Sequence, residues 1–159
     1  MAFNLTWYFM VNVNNLMEKA VELAEKALTI DENNASSHAL LGSIYLAKKK
    51  WDKAVQEGER AVELSPSGSD VNGLLGITLS SVGRQKEAIS LFEKAIRLNP
   101  QAPDWLYQSL ARAQILVGNY QDAITSLKGV IKKNSKHLPA RRYLIVAYSL
   151  SNQDKEAKS

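Results

Sequence analysis

Cysteine is absent from this 159-residue chain, and histidine occurs only twice. Without thiols the chain can form neither a disulfide framework nor a thiolate zinc site, and the absence fits a reducing, cytoplasmic compartment. His38 and His137 are far apart in the sequence and have no paired acid at metal-ligand spacing. We therefore expect no metal ion and no cofactor, and we expect His38 to pack near the start of a helix.

Charge is also sparse. Charged residues make up 23% of the chain against 45% apolar residues, which excludes a disordered chain, and the net charge of +4 is too small to indicate a nucleic-acid binder. Long apolar runs are missing as well. Residues 1–11 are apolar, but they are interrupted by Asn4 and Thr6, lack a basic leader and are too short to span a bilayer. We expect neither a signal peptide nor a membrane anchor.

Catalytic motifs are missing too. The chain has no Gly-x-Ser-x-Gly elbow and no nucleophile with a matching base. The segment 73–76 is glycine-containing, but no Lys-Ser or Lys-Thr pair follows it and no strand is predicted before it, so a phosphate-binding loop is excluded. We expect that the chain is not an enzyme.

What the chain does contain is a repeat. Its clearest copy is the segment 84–100, in which Ala88, Phe92 and Ala95 share one face of a predicted helix. Matching alanines recur at spacings of 34, 34, 35 and 34 residues. These are Ala20, Ala54, Ala88, Ala123 and Ala157. Twelve residues before each of the last four lies a residue that is small in three of the copies and is preceded by a leucine. Gly83 and Gly118 mark two of the turns that follow.

This pattern predicts antiparallel helix pairs and no strands. The expected helices cover residues 3–12, 15–29, 35–48, 51–64, 69–82, 85–98, 103–117, 120–133 and 138–151.

The registered alanines, with Phe92 and the closing Pro100, resemble the tetratricopeptide repeat family over essentially the whole chain. The resemblance implies an all-α, right-handed superhelix of antiparallel helix pairs, with first helices lining a concave face. We expect a single domain over residues 1–159, with repeats at about 1–34, 35–68, 69–103 and 104–137 and a partial repeat at 138–159.

The family positions predict a concave groove that binds a peptide or helix from a partner protein. Its expected partner-binding residues are Ala39, Leu40, Ser43, Leu46, Gly73, Ile77, Gln108, Arg112 and Arg142. Relatives that clamp a C-terminal carboxylate use Lys and Asn at several of these positions, whereas this chain has Ala39, Ser43, Gly73 and Ile77. The sequence therefore disfavours a carboxylate clamp.

A narrower resemblance lies in the runs 35–42, 93–100 and 103–107 and in the Trp7-Tyr8 opening. They are similar to the tetratricopeptide segment that follows the cyclase homology domain in many bacterial cyclase-like proteins. The chain itself holds no cyclase domain. This resemblance implies a non-catalytic scaffold, used as the regulatory tail of a cyclase-like signalling protein.

The two ends support an alternative function. Both carry more apolar residues than an exposed helix needs, and exposed patches of this kind usually mark an interface. The alternative is an oligomerisation element that self-associates through Phe3, Trp7, Phe9, Tyr143, Val146 and Leu150.

The most basic region gives one further hypothesis, an anion or acidic-partner site. It comprises Lys128, Lys132, Lys133, Lys136, His137, Arg141 and Arg142. Lys132 and Lys133 are also explained by a solvated helix end, where the helix dipole favours positive charge.

Overall fold

The computed structural model describes the backbone of residues 2–99 and 101–151 and the side chains of residues 15–99 and 101–151. The described residues form eight helices and no strand. In chain order they are α1 (Ala2–Ile30), α2 (Ala35–Ala47), α3 (Trp51–Leu64), α4 (Ser69–Ser81), α5 (Gln85–Leu98), α6 (Asp104–Leu116), α7 (Tyr120–Lys133) and α8 (Leu138–Leu150). From α2 onward, every helix agrees with its predicted range to within one residue at each end.

Turns of three residues join α2 to α3, α4 to α5 and α6 to α7, so the members of each pair run antiparallel. Gly83 and Gly118 have φ angles of +88° and +84°, in the left-handed region that glycine adopts without steric cost. Lys49 takes the same region in the first turn, with φ of 56°. The two predicted glycine turns are confirmed.

The first helix differs from the prediction. Two helices were expected, over residues 3–12 and 15–29, but α1 runs without a break from Ala2 to Ile30. The physical reason is local: residues 2–30 contain neither glycine nor proline, and the asparagines at 12, 14 and 15 have lower helix propensity than alanine without ending a helix.

The chain divides into two compact units, residues 1–66 and 67–159. The single-domain arrangement stays a prediction. In the first unit, α1 to α3 enclose a core of small and aliphatic side chains, in which Ala54 and Ala61 are completely buried. In the second unit the largest fully buried side chains include Phe92, Leu106 and Leu127.

The segment 84–100 serves packing as far as it is described. Ala88 and Ala95 are completely buried and Phe92 is almost so, which places the apolar stripe of α5 inside the second unit. Pro100, its closing residue, lies outside the described residues.

Candidate functional site

A cleft of about 270 Å³ opens in the second unit, between α4, α6 and α8. Helix α6 supplies most of its wall and α5 contributes the edge of a core side chain. The lining residues are Ile77, Phe92, Trp105, Gln108, Ser109, Arg112 and Tyr143. The predicted groove residues Ile77, Gln108 and Arg112 are therefore brought together on one surface.

Trp105 owes its place in the cleft to a glycine. A Cβ atom added at Gly73 would lie 2.6 Å from Cη2 of Trp105 and 2.7 Å from Cδ2 of Leu106. Both distances are shorter than van der Waals contact, so only glycine lets the indole cross α4 at this point. Gly73 is buried beneath that ring. Gly73 is thus covered by packing, and its role as a partner-contact residue stays a prediction.

A second pocket of about 340 Å³ adjoins the cleft through a shared side chain, Tyr143. Its other lining residues are Pro139, Arg142 and Val146. Tyr143 and Val146 were predicted to serve self-association, yet both line these concave pockets of the second unit. Phe92 is almost completely buried, and the edge of its ring also forms part of the cleft.

Two arginines stand at these pockets. Arg112 and Arg142 are exposed, and neither makes an ion pair with any acidic group in the described part of the chain. The cleft thus combines apolar and aromatic walls with two available guanidinium groups. Such groups bind carboxylates through paired hydrogen bonds.

His137 fixes the start of α8 beside α6. Its Nδ1 accepts a hydrogen bond from the Ala140 N–H at 3.2 Å, which caps α8. Its Nε2 lies 3.7 Å from Oδ2 of Asp104 and 3.4 Å from the side-chain amide of Gln108. His137 therefore caps the helix that carries Arg142 and lies beside Asp104 and Gln108 of α6.

The predicted residues of the first unit lie on α2. Ala39 is only 5% exposed and its methyl group is buried in the core, so its role as a contact residue stays a prediction. Ser43 donates its hydroxyl to the Ala39 carbonyl at 3.0 Å, which satisfies it within its own helix. Leu40 is exposed and Leu46 is half-buried, so these two remain open to a partner.

The basic cluster is partly engaged in contacts of its own. The Lys128 ammonium lies 5.5 Å from the ring centroid of Tyr148, and that of Lys133 lies 5.2 Å from the ring of Tyr107. Arg141 donates from Nε to the Ser135 carbonyl at 2.9 Å. Three of the basic residues in the cluster therefore already contact other groups of the chain, and the anion site stays a prediction.

His38 occupies a packing position, as expected from the sequence. Its Nδ1 lies 2.7 Å from Oε2 of Glu57 on α3, and its Nε2 lies 3.1 Å from the Glu32 carbonyl oxygen. No cluster of three or more potential metal ligands occurs among the described residues. Over the same residues, no helix combines the length and apolar character needed to cross a bilayer.

Protein-family models and solved structures both show similarity to this chain. Tetratricopeptide repeat models match residues 14–69 and 69–102. No curated protein matches the sequence. Among solved structures, one of MamA is similar at 21% identity with a TM-score of 0.79, covering 92% of this chain and 85% of that one.

Two further structures are similar. PilW, described as a widely conserved type IV pilus biogenesis factor, is 23% identical with a TM-score of 0.82, over 97% of this chain and 70% of its own. YrrB, described as a tetratricopeptide repeat protein with an unusual peptide-binding site, is 21% identical with a TM-score of 0.76, over 93% and 76%. At these identities the similarity shows the fold. With the family models covering residues 14–102 and the predicted all-helical fold class confirmed, the chain belongs to the tetratricopeptide repeat family.

Proposed function

We propose that this protein is a non-catalytic protein-interaction module whose second unit binds a peptide or helix in the cleft between α4, α6 and α8. The observation that carries the proposal is the combination of aromatic walls, Trp105 and Tyr143, with the unpaired cations Arg112 and Arg142. Aromatic and arginine side chains are the types that dominate binding energy at protein interfaces.

The same surface defines the chemistry of the partner. An apolar side chain fits the cleft, and a carboxylate next to it in the peptide fits the arginines. YrrB, which has the same fold, is described as having a peptide-binding site, and this supports a peptide as the ligand class. Leu40 and Leu46 on α2 are further partner-contact residues in this proposal.

The test is selection of peptides from a random displayed library, followed by fluorescence anisotropy on purified protein. We expect the selected peptides to pair an acidic with an apolar residue. Arg112→Glu and Arg142→Glu should each weaken binding at least about tenfold, because a favourable charge pair becomes a repulsive one. Lys86→Glu, an exposed charge reversal on α5, is the matched control and should change binding less than about twofold.

Two outcomes would contradict this function. One is that no peptide is selected by the wild-type protein. The other is that Lys86→Glu weakens binding as much as Arg112→Glu does, since the effect would then come from net charge and not from the cleft.

We further propose that this chain acts within a larger signalling protein. The resemblance of residues 35–42, 93–100 and 103–107 to the segment that follows a cyclase homology domain supports a regulatory role in a bacterial cyclase-like signalling protein. The absence of cysteine supports a cytoplasmic location. Sequencing the reading frame around this segment tests the regulatory role, because a frame without a cyclase homology domain contradicts it. Cell fractionation tests the cytoplasmic location.

A second candidate function is self-association through the apolar ends. Val146 and Leu150 on α8 are 44% and 48% exposed, which is high for aliphatic residues on a helix. Phe3, Trp7 and Phe9 of the same prediction lie outside the residues whose side chains are described. Sedimentation analysis from micromolar to millimolar protein tests this function, and a constant monomer mass would contradict it.

A further inference from the structure

Positive charge collects in the last two helices of the second unit. Residues 123–151, which include most of α7 and all of α8, hold six basic residues and no acidic one. The preceding residues 67–122 hold five of each. Five of the six cations lie at the end of α7, in the loop 134–137 and near the start of α8. We call this group the basic junction; its members are Lys132, Lys133, Lys136, Arg141 and Arg142.

The other repeats do not share this charge. Lys128, on the same helix, occupies the position that Glu25, Glu59 and Glu93 hold in the three earlier copies. The last turns of α1 and α3 contain no basic residue, and that of α5 contains only Arg97. The helix dipole acts at the end of every helix. It therefore does not account for a cluster that occurs at one of four matching ends.

The exposure of the basic junction is a property of the repeat. Lys132 and Lys136 are both exposed. The residues at their positions in the earlier copies are exposed as well, although another helix pair follows each of those copies. These residues are Thr29, Glu63 and Arg97 for the first position and Asn33, Ser67 and Gln101 for the second. A further helix packed onto α8 would therefore leave both lysines open to solvent.

Contacts within the chain hold part of the basic junction in place. Nε of Arg141 donates to the Ser135 carbonyl at 2.9 Å, which uses one of the five N–H donors of the guanidinium group. The backbone N–H of Lys136 donates to Oδ1 of Asn134 at 3.1 Å, so the loop before α8 has a defined turn. These bonds fix the chain between the two helices and leave the charges unpaired.

Three side chains of the basic junction are open to an anionic ligand. Those of Lys132, Lys136 and Arg142 are exposed and make no hydrogen bond or ion pair with any other described residue. An acidic side chain does lie beside the junction, because Oδ2 of Asp104 is 3.7 Å from Nε2 of His137. One carboxylate leaves an excess of positive charge among five cations, and such a surface attracts an acidic ligand.

The basic junction adjoins the cleft. Pro139 and Arg142 line the second pocket, which shares Tyr143 with the cleft. Tyr143 lies about 6 Å along α8 from Pro139. Lys136 is three residues before Pro139, so at most about 11 Å of chain separates them. An extended peptide advances about 3.3 Å per residue, so a ligand anchored in the cleft reaches the junction within about five residues.

We propose that the peptide bound in the cleft carries a run of aspartate or glutamate residues within about five residues of its apolar anchor, and that this run lies along Arg142, Lys136 and Lys132. The inference rests on the proposed function and adds a second half to its ligand. An acidic protein segment fits better than an anionic membrane, because Arg142 stands at a pocket that a flat lipid surface does not enter.

Each contact of this kind is weak on its own. An exposed ion pair strengthens binding by about fivefold at most, because water and salt screen it. Several pairs must act together, so a run of about four acidic residues should raise the affinity at least about fivefold. Raising the salt concentration from about 0.05 M to about 0.5 M should remove most of this gain.

The test measures one ratio by fluorescence anisotropy on the full chain. The probe is a peptide from the library selection, labelled with fluorescein and shortened to its apolar anchor and the acidic residue beside it. Four glutamates, or four glutamines as the uncharged match, are added at its N-terminal or its C-terminal end. The dissociation constant of the glutamine form divided by that of the glutamate form should be at least about five at one of the two ends.

Two pairs of charge reversals locate the effect. In Lys132→Glu with Lys136→Glu, the ratio should fall below about two. Lys49→Glu with Lys86→Glu changes the net charge equally at exposed positions in the α2–α3 turn and on α5, and should keep a ratio of at least about five. Glutamate is unfavourable near the end of α7, so Lys132→Gln with Lys136→Gln is measured as well and should also lower the ratio. Circular dichroism verifies the folding of each variant.

The outcomes separate this inference from the function on which it rests. If no peptide binds, both are overturned. If the shortened peptide binds but the ratio stays near one at both ends, the inference is overturned and the cleft function stands. A control pair that lowers the ratio as much as the Lys132 and Lys136 reversals also overturns the inference.

Co-sedimentation with vesicles of phosphatidylcholine and phosphatidylserine tests the membrane alternative. Vesicle binding that is lost in Lys132→Glu with Lys136→Glu, together with a ratio near one for the peptides, would make the basic junction a membrane site and overturn the inference.

Discussion

Replacing Gly73 by alanine tests whether this residue serves packing or binding. The new Cβ would lie 2.6 Å from Cη2 of Trp105 and 2.7 Å from Cδ2 of Leu106, both inside van der Waals contact. Leu106 is completely buried, so the strain falls on the α4–α6 contact. Overpacking of this kind costs about 1–3 kcal/mol.

A second effect has the opposite sign. Alanine in a helix interior is favoured over glycine by about 0.5–1 kcal/mol. The two effects together predict that Gly73→Ala destabilises the second unit by up to about 2.5 kcal/mol, a fall in the thermal midpoint of up to about 10 °C.

Gly129→Ala is the matched control, because Gly129 is exposed on α7 and nothing lies within 4 Å of its added Cβ. Only the helix-propensity effect remains there, so this variant should be stabilised by about 0.5–1 kcal/mol. Thermal unfolding followed by circular dichroism compares the two variants. If Gly73→Ala rises in stability as Gly129→Ala does, the packing of Trp105 over Gly73 is refuted.

Two further predictions concern side chains in the second unit. Gln114 is 5% exposed and its Oε1 accepts no hydrogen bond from the described residues, whereas Leu79, at the same position of another repeat, is buried and apolar. Gln114→Leu should therefore raise the free energy of unfolding by about 1–2 kcal/mol in a denaturant titration. A loss of stability would contradict this. The hydrogen bond from Arg84 holds the pKa of Glu87 below its usual value, and Arg84→Ala should raise that pKa towards 4.5, as followed by NMR. Because the folded-state pKa is the depressed one, the stabilising effect of this pair is present above the usual carboxyl pKa and is lost as the pH falls through the folded-state value. A Glu87 pKa that stays unchanged in the variant would contradict the assignment.

The sequence predicted the helices well wherever small residues determine the packing. The recurring alanines set the register, and glycine turns such as Gly83 and Gly118 separated the members of a pair, so seven helices fall within one residue of their expected limits. Helix α1 was missed because a break was expected where no glycine or proline stands, and helix propensity then favours continuity.

The site was harder to predict from family positions. Ala39 and Gly73 match groove positions, but such small residues are covered by their neighbours. The repeat register gave no sign that Trp105 lies over Gly73. The predicted residues Gln108, Arg112 and Arg142 line the two pockets because their longer side chains extend beyond the packed surface. The burial of a residue depends on the helix that packs against it. Its position within one repeat does not specify which side chains that helix brings.

The most direct test of the proposed binding function is an NMR titration of the labelled protein with a peptide selected for binding. We predict that the largest backbone amide shifts occur at Ile77, Gln108, Arg112 and Tyr143, around the cleft of the second unit. Small shifts there, with the largest changes on the exposed faces of α5 and α7 at residues such as Glu93 and Asp122, would contradict it.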